Sequence, residues 1–170
     1  FTLTVRVVGT GLTYQWRKDG IDIPNSNSAS YTVASASASD AGFYSVVVSN
    51  ICNQPVVSNP VSVVVNITPV ITVQPTPVTV CQGDFAQFFV QATGTGLSYQ
   101  WRKNNTNIPG ATNTFYNIPT AQPADAGVYT VVITGACGTP VVSDNAALAV
   151  QTAPVITTEP ADVTVCEGNN

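Results

Sequence analysis

The sequence predicts an all-β chain, built of tandem β-sandwiches of about seven strands each and joined end to end. Three observations carry that expectation. Landmarks recur at one offset: Trp16 and Trp101, Asp40 and Asp125, Cys52 and Cys137, and Cys81 and Cys166 each stand 85 positions apart, so the 170 residues make two whole periods. Such a period exceeds the roughly 20–50 residues of solenoid repeats and suits a small domain copied in tandem. Val, Thr and Tyr recur in short alternating stretches that Gly, Pro, Asn and Ser interrupt every ~8–12 residues, the rhythm of a sandwich. No stretch of helix length shows the apolar period of an amphipathic helix.

In chain order through the middle copy, the strands are predicted at 70–73, 78–81, 86–93, 98–103, 113–118, 127–134 and 141–150. The first is an apolar run between Pro69 and Pro75, and the second ends in the Cys81-Gln82-Gly83-Asp84 turn. The third stops at Gly94, the fourth carries Tyr-Gln-Trp-Arg-Lys, and the fifth stops at Pro119. The sixth ends at Gly135, and the seventh carries the chain to the next junction. Boundaries follow: 1–66 is a domain that starts at its second strand, 67–152 is a complete domain, and 153–170 supplies the opening strands of a third. The junctions Asn66-Ile67-Thr68-Pro69 and Gln151-Thr152-Ala153-Pro154 are short and end in Pro, which restricts hinge motion. A rod advancing roughly 40 Å per domain is expected.

Two motifs give the sandwich a family likeness. Tyr99-Gln100-Trp101-Arg102-Lys103, followed by Ile108-Pro109-Gly110-Ala111, resembles the third strand (C) of an immunoglobulin domain with its buried Trp; Tyr14-Gln15-Trp16-Arg17-Lys18 is the other copy. Asp125-Ala126-Gly127-Val128-Tyr129 and Asp40-Ala41-Gly42-Phe43-Tyr44 resemble the tyrosine corner at the E–F bend. The resemblance implies a structural core of Trp16, Trp101, Tyr44 and Tyr129, with Asp40 and Asp125 capping turns. One departure stands out: where the animal pattern has an inter-sheet Cys pair, this chain has Val131 with Val90, and Val46 with Val5. A Val pair packed against the Trp can fill that core by apolar burial alone, since a domain of this size buries enough area without a staple. With low charge and Val-Cys-Gln-Gly-Asp-type turns, the chain resembles the tandem immunoglobulin-like (Ig-like) repeats of bacterial secreted and surface proteins, those of Bacteroidota especially.

Cys81 and Cys166 fall before an acidic-Gly turn between strands A and B, and Cys52 and Cys137 fall in the F–G hairpin. In an Ig-like topology these are opposite ends of one sandwich, farther apart than the ~7 Å Cα limit of a disulfide. The expected pairing therefore staples neighbours: the F–G Cys of each domain bonds the A–B Cys of the domain before it. An intradomain bond and free thiols are the alternatives.

The composition argues against an enzyme. There is no His or Met and only 8% charged residues, so no second acid or base stands beside Asp40 or Asp125 to run general acid–base chemistry. No cofactor is expected, and Asp19, Asp22, Asp84, Glu159 and Glu167 form no dense run that would suit a metal. Five scattered basic residues against nine acidic ones make nucleic acid a poor partner. No apolar run reaches the roughly 18 residues of a membrane span. The sequons Asn66-Ile67-Thr68 and Asn104-Asn105-Thr106 are common by chance in so Asn- and Thr-rich a chain.

No initiating Met or signal-peptide core is present, and Asn170 reads on to Phe1 in register: Cys166-Glu167-Gly168-Asn169-Asn170-Phe1 repeats the turn at Cys81. Two assemblies fit that phase, a window on a longer covalent array and a subunit that donates its C-terminal strands to the next copy. The first is favoured. The expected role is a structural repeat unit of an extracellular or cell-surface bacterial fibre, whose partner is itself, head to tail. The alternatives are an adhesin stalk binding cell-surface glycans or neighbouring cells through loops such as 25–30 and 104–107, and a spacer of a secreted enzyme.

Overall fold

The structure is a computed structural model and describes residues 1–168. Asn169 and Asn170, and with them the predicted run-on to Phe1, lie outside the described residues. The chain divides into two units: residues 1–68 with 136–138, and residues 69–135 with the chain from Thr139 onward.

Unit 1 holds β1 (Thr2–Thr4), β2 (Thr13–Lys18), β3 (Ile21–Asp22), β4 (Ser30–Thr32), β5 (Gly42–Asn50), β6 (Asn53–Val57) and β7 (Val61–Val63). One layer pairs β1 with β4, and the other runs β3-β2-β5-β6 with β7 also on β5. Unit 2 holds β8 (Val70–Val73), β9 (Val78–Cys81), β10 (Ala86–Phe89), β11 (Gln91–Thr93), β12 (Ser98–Lys103), β13 (Thr106–Asn107), β14 (Phe115–Ile118), β15 (Gly127–Thr134), β16 (Val141–Val142) and β17 (Ala146–Gln151). Its first layer comprises β8 on β11 and β10 on β14; its second runs β13-β12-β15-β17-β9, with β9 and β17 parallel.

Four of the predicted strands match in both bounds, 70–73, 78–81, 98–103 and 127–134. Predicted strand 86–93 is two strands. Between them the fully buried Val90 donates to Thr114 O at 2.9 Å, and beyond it the chain leaves β14 to pair with β8. Predicted strand 113–118 begins at Phe115. Predicted strand 141–150 breaks at Ser143, whose hydroxyl accepts from Val131 N (3.0 Å) while its own N–H donates to Val131 O (3.0 Å), so the bulge leaves no orphaned ladder group. Ser58 does the same for Val46 in unit 1. The two-residue β13 is too short to carry a pattern.

The core of unit 2 lies between its layers. Trp101, Val90, Val131, Ile133, Ala121 and Ala146 are fully buried, with Phe88 stacked on Tyr129 at 4.6 Å between centroids. Alternation along β10, buried and exposed in turn, is what a half-covered sheet requires. The buried cluster of unit 1 is smaller: Trp16, Val46 and Val48, with Leu3, Val5 and Leu12 partly buried around it.

Candidate functional site

No cluster of three or more His, Cys, Asp or Glu side chains that could hold a metal forms among the described residues. The organised polar chemistry sits instead at the E–F corner, built alike in both units. A short 3₁₀ turn, Pro123–Asp125, enters β15, and Asp125 Oδ2 accepts from Gln122 N at 2.8 Å. Asp40 Oδ2 takes Ser37 N (2.8 Å) and Ser37 Oγ (2.7 Å) before β5. These bonds, the backbone one first, hold the Asp40 carboxyl below its usual range; Lys18 adds to the effect, and partial burial opposes it. Tyr129 and Tyr44 then turn back to donate to Asp125 O and Asp40 O, each at 2.8 Å. Burial pushes the Tyr129 phenol up to about 12, with Tyr116 and then Asp125 adding smaller electrostatic contributions. Tyr44 is raised too, by burial and then by Tyr31, Asp40 and Asp19.

The two sequence motifs prove to be halves of one clamp. The turn after strand C places Asp19 (φ 51°) and Asn104 (φ 49°) in the left-handed region, where short polar side chains are tolerated. Asn104 N donates to Val128 O (2.8 Å) and its Oδ1 accepts from Val128 N (3.0 Å); Asp19 makes the same pair with Phe43 at 2.7 and 2.9 Å. Lys18 and Lys103 donate across the same gap to Ser39 O and Ala124 O. Gly127 (φ 155°) lets the strands close, because a Cβ there would lie 2.9 Å from Asn104 Oδ1. Sequence reasoning missed this link. The polar turn residue precedes the residue after the corner glycine by 24 positions in both copies, a spacing that residue type alone does not mark.

Gln15 and Gln100 were also overlooked. Gln100 Nε2 donates to Trp101 O (2.9 Å) and Ile108 O (2.8 Å), and Gln15 repeats this at Trp16 O (2.9 Å) and Ile23 O (2.7 Å). Trp101 Nε1 donates to Asn113 O and Trp16 Nε1 to Ser28 O, each at 2.9 Å. The buried indoles, 0% and 3% exposed, are therefore satisfied core groups unavailable for stacking on a ligand. The loops suggested for adhesion are partly spent on the fold. Ser26 is buried and donates to Ile23 O, Asn107 accepts from Arg102 Nε at 2.7 Å, and Asn104 belongs to the clamp. Asp22 pairs with Arg17 at 2.6 Å.

The four cysteines form no disulfide within this chain. Cys52, Cys81 and Cys166 are exposed and Cys137 is half-buried. Cys81 lies opposite Gln151 at one end of unit 2, whereas the F–G hairpin closes at the other, beyond Thr134.

Residues 68–134 match the immunoglobulin domain family. A three-domain titin structure aligns with 91% of this chain and 60% of its own at a TM-score of 0.70 and 21% identity, and a titin I-band fragment aligns at the same score over 89% and 59%. The fold is immunoglobulin-like. The muscle M-line assembly protein unc-89 of Caenorhabditis elegans is 31% identical over 157 residues, which is 81% of this chain and 2% of that protein. The decoration protein of Escherichia phage T5 is 46% identical over 52 residues, 28% of this chain and 32% of its own. This immunoglobulin-like chain thus spans a minor part of the curated relatives it matches. It is a tandem repeat module, similar to titin in fold and to unc-89 in sequence.

Proposed function

We propose that the chain is a structural repeat unit of an extracellular fibre or long surface protein of the bacterial tandem Ig-like type, arrayed head to tail through rigid junctions. The observation that carries the reading is the duplicated corner clamp. Both copies spend their organised polar groups on fixing strand C to the E–F bend. That investment stiffens each sandwich without presenting a reactive group. Short Pro-ended junctions support rigidity between domains, and low charge, net −4 over 170 residues, leaves little repulsion between neighbours. Thiols at domain ends, three exposed and Cys137 half-buried, suit stapling in an oxidising compartment.

Negative-stain imaging of the material purified from its source tests this. Filaments with an axial period of roughly 40 Å per domain are the expected result. Short monodisperse particles, with no periodic form at any concentration, would count against a fibre and favour a stalk or spacer.

A further inference from the structure

The first layer of unit 2 ends in a bare strand edge. β14 pairs with β10 on one side and, among the described residues, with no strand on the other. Thr114 O accepts from Val90 N at 2.9 Å, and bonded residues alternate along an antiparallel ladder, so Tyr116 and Ile118 also turn their backbone groups toward β10. Phe115 and Asn117 turn theirs the other way. Their N–H and C=O groups therefore line the edge as a template for a further strand.

This edge carries none of the features that ordinarily keep strands from joining. No charged residue occurs from Asn104 to Ala124, no bulge interrupts the β10–β14 register, and no proline falls inside β14. The outer face of the same two strands adds apolar surface. Phe89 and Phe115 stand directly opposite one another, 46% and 43% exposed, beside a bond of 2.8 Å from Gln87 Nε2 to Asn117 Oδ1. The fold does not call for this aromatic pair, because the same cross-strand positions one period earlier hold Thr4 with Ser30. An exposed aromatic pair beside unpaired backbone suits strand addition, in which main-chain bonds give affinity and alternate side chains give specificity.

We propose that the occupant is β14 of a second copy of this domain, paired antiparallel about a two-fold axis at Tyr116. In that register Phe115 of each copy exchanges both backbone bonds with Asn117 of the other, so every outward group of the two residues is satisfied. The neighbouring registers do less well. One sets Asn117 against Asn113, whose carbonyl already accepts from Trp101 Nε1; the other sets Phe115 against Pro119, which has no N–H to give. Tyr116 points into its own core against Trp101 and Tyr129, which leaves the axis clear. The two Phe115 rings become diagonal neighbours, roughly 7–8 Å apart and within aromatic reach, and the two Phe89–Phe115 pairs merge into one apolar strip.

Size argues for a copy rather than an unrelated strand. Two short strands and two aromatic pairs bury less than the ~1,200 Å² of a stable complex, so a single contact is weak. Repetition strengthens it, because an array of this domain presents the edge again and again, and a neighbouring array presents matching edges at matching intervals. The proposal rests on the fibre reading and adds a lateral contact to it.

Amide-resolved NMR and sedimentation equilibrium of the whole chain, from micromolar to millimolar concentration, test the contact. The amides of Phe115 and Asn117 are expected to shift with concentration as the chain dimerises. Asn117→Pro removes one outward donor per copy and no bond to β10, and proline is tolerated where a strand N–H faces out. Losing half the backbone bonds of the contact should weaken association about 30-fold, at the usual net worth of a hydrogen bond. A Phe89→Thr, Phe115→Ser double variant gives this face the residues of the earlier copy and should also lose dimerisation, with near-UV circular dichroism checking that both variants fold. A parent that stays monomeric at millimolar concentration, association that leaves both amides unmoved, or a double variant that associates like the parent would each overturn the proposal. Imaging of the source material separates it from the fibre reading: filaments that never pair laterally refute this contact alone, whereas a chain that dimerises through β14 and forms no filament refutes the fibre alone.

Discussion

Tyr129 donates its phenolic hydrogen to the backbone carbonyl of Asp125, four residues back and 2.8 Å away, and Tyr44 does the same to Asp40. The bond fixes the bend by which the chain enters β15, and both rings are 1% exposed. Tyr129→Phe keeps the ring and removes the donor, leaving a carbonyl unsatisfied at the corner. A loss of about 1–2 kcal/mol is expected in denaturant unfolding, with the slope unchanged. Retention of full stability would show that the corner is set by packing alone.

The same phenol makes the domain sensitive to alkali. Its folded-state pKa is raised from 10.0 to about 12, so the folded state holds the proton more tightly than the unfolded chain does. The associated stability is fully present below pH 10 and is lost as pH climbs toward 12, by at most about 2–3 kcal/mol. Tyr116 and Tyr44, raised in the same direction, add to the slope. Unfolding free energies at pH 9 and near pH 12 should therefore differ less in Tyr129→Phe than in the parent. An equal drop in both would assign the alkaline loss to other groups.

Gly127 and Gly110 separate two kinds of glycine requirement. A Cβ at Gly127 would meet Asn104 Oδ1 at 2.9 Å and Lys103 Cε at 3.1 Å on a backbone with φ of 155°. Gly110, at φ 74°, faces open space. Gly110→Ala is expected to cost about 1 kcal/mol, for backbone conformation alone. Gly127→Ala should cost more, about 2–3 kcal/mol, because it adds a clash at the clamp to the strain. Asn104→Ala in the same chain should recover part of that difference, which a double-mutant cycle reads as coupling.

Those features differ in how far the sequence reveals them. Strands such as Ser98–Lys103 and Gly127–Thr134 are legible because alternation and a bulky motif coincide on them. Trp101 and Tyr129 announce themselves because the earlier copy repeats their spacing in Trp16 and Tyr44. The clamp between them is not legible from residue type, since Asp19 in one copy is Asn104 in the other and the contact runs through backbone of Phe43 or Val128. Only a left-handed turn conformation brings those atoms together, and sequence pattern does not report it. The break in predicted strand 141–150 was hidden for a related reason: Ser143 stands in for ladder bonds with its hydroxyl, a role invisible until its partner Val131 is placed.

The cysteine pairing joins the fold to the assembly. Within unit 2, Cys81 lies opposite Gln151, and the strand that returns on β15 starts at Val141, ten residues back along the same edge. At ~3.3 Å per residue that is roughly 30 Å, several times the ~7 Å Cα limit of a disulfide. The head-to-tail order makes the stapling pairs specific. The domain that opens with Cys166 is followed in the array by another copy of unit 2, so Cys166 should bond the Cys137 of that copy. Unit 2 precedes that domain, so its Cys81 should bond the Cys52 that follows it in the array. Both bonds link neighbouring domains, each surrendering two electrons and two protons to dioxygen on air oxidation. Non-reducing peptide mapping of the material purified from its source should recover Cys137 with Cys166 and Cys52 with Cys81. A Cys81–Cys137 linkage within one domain would sink the staple.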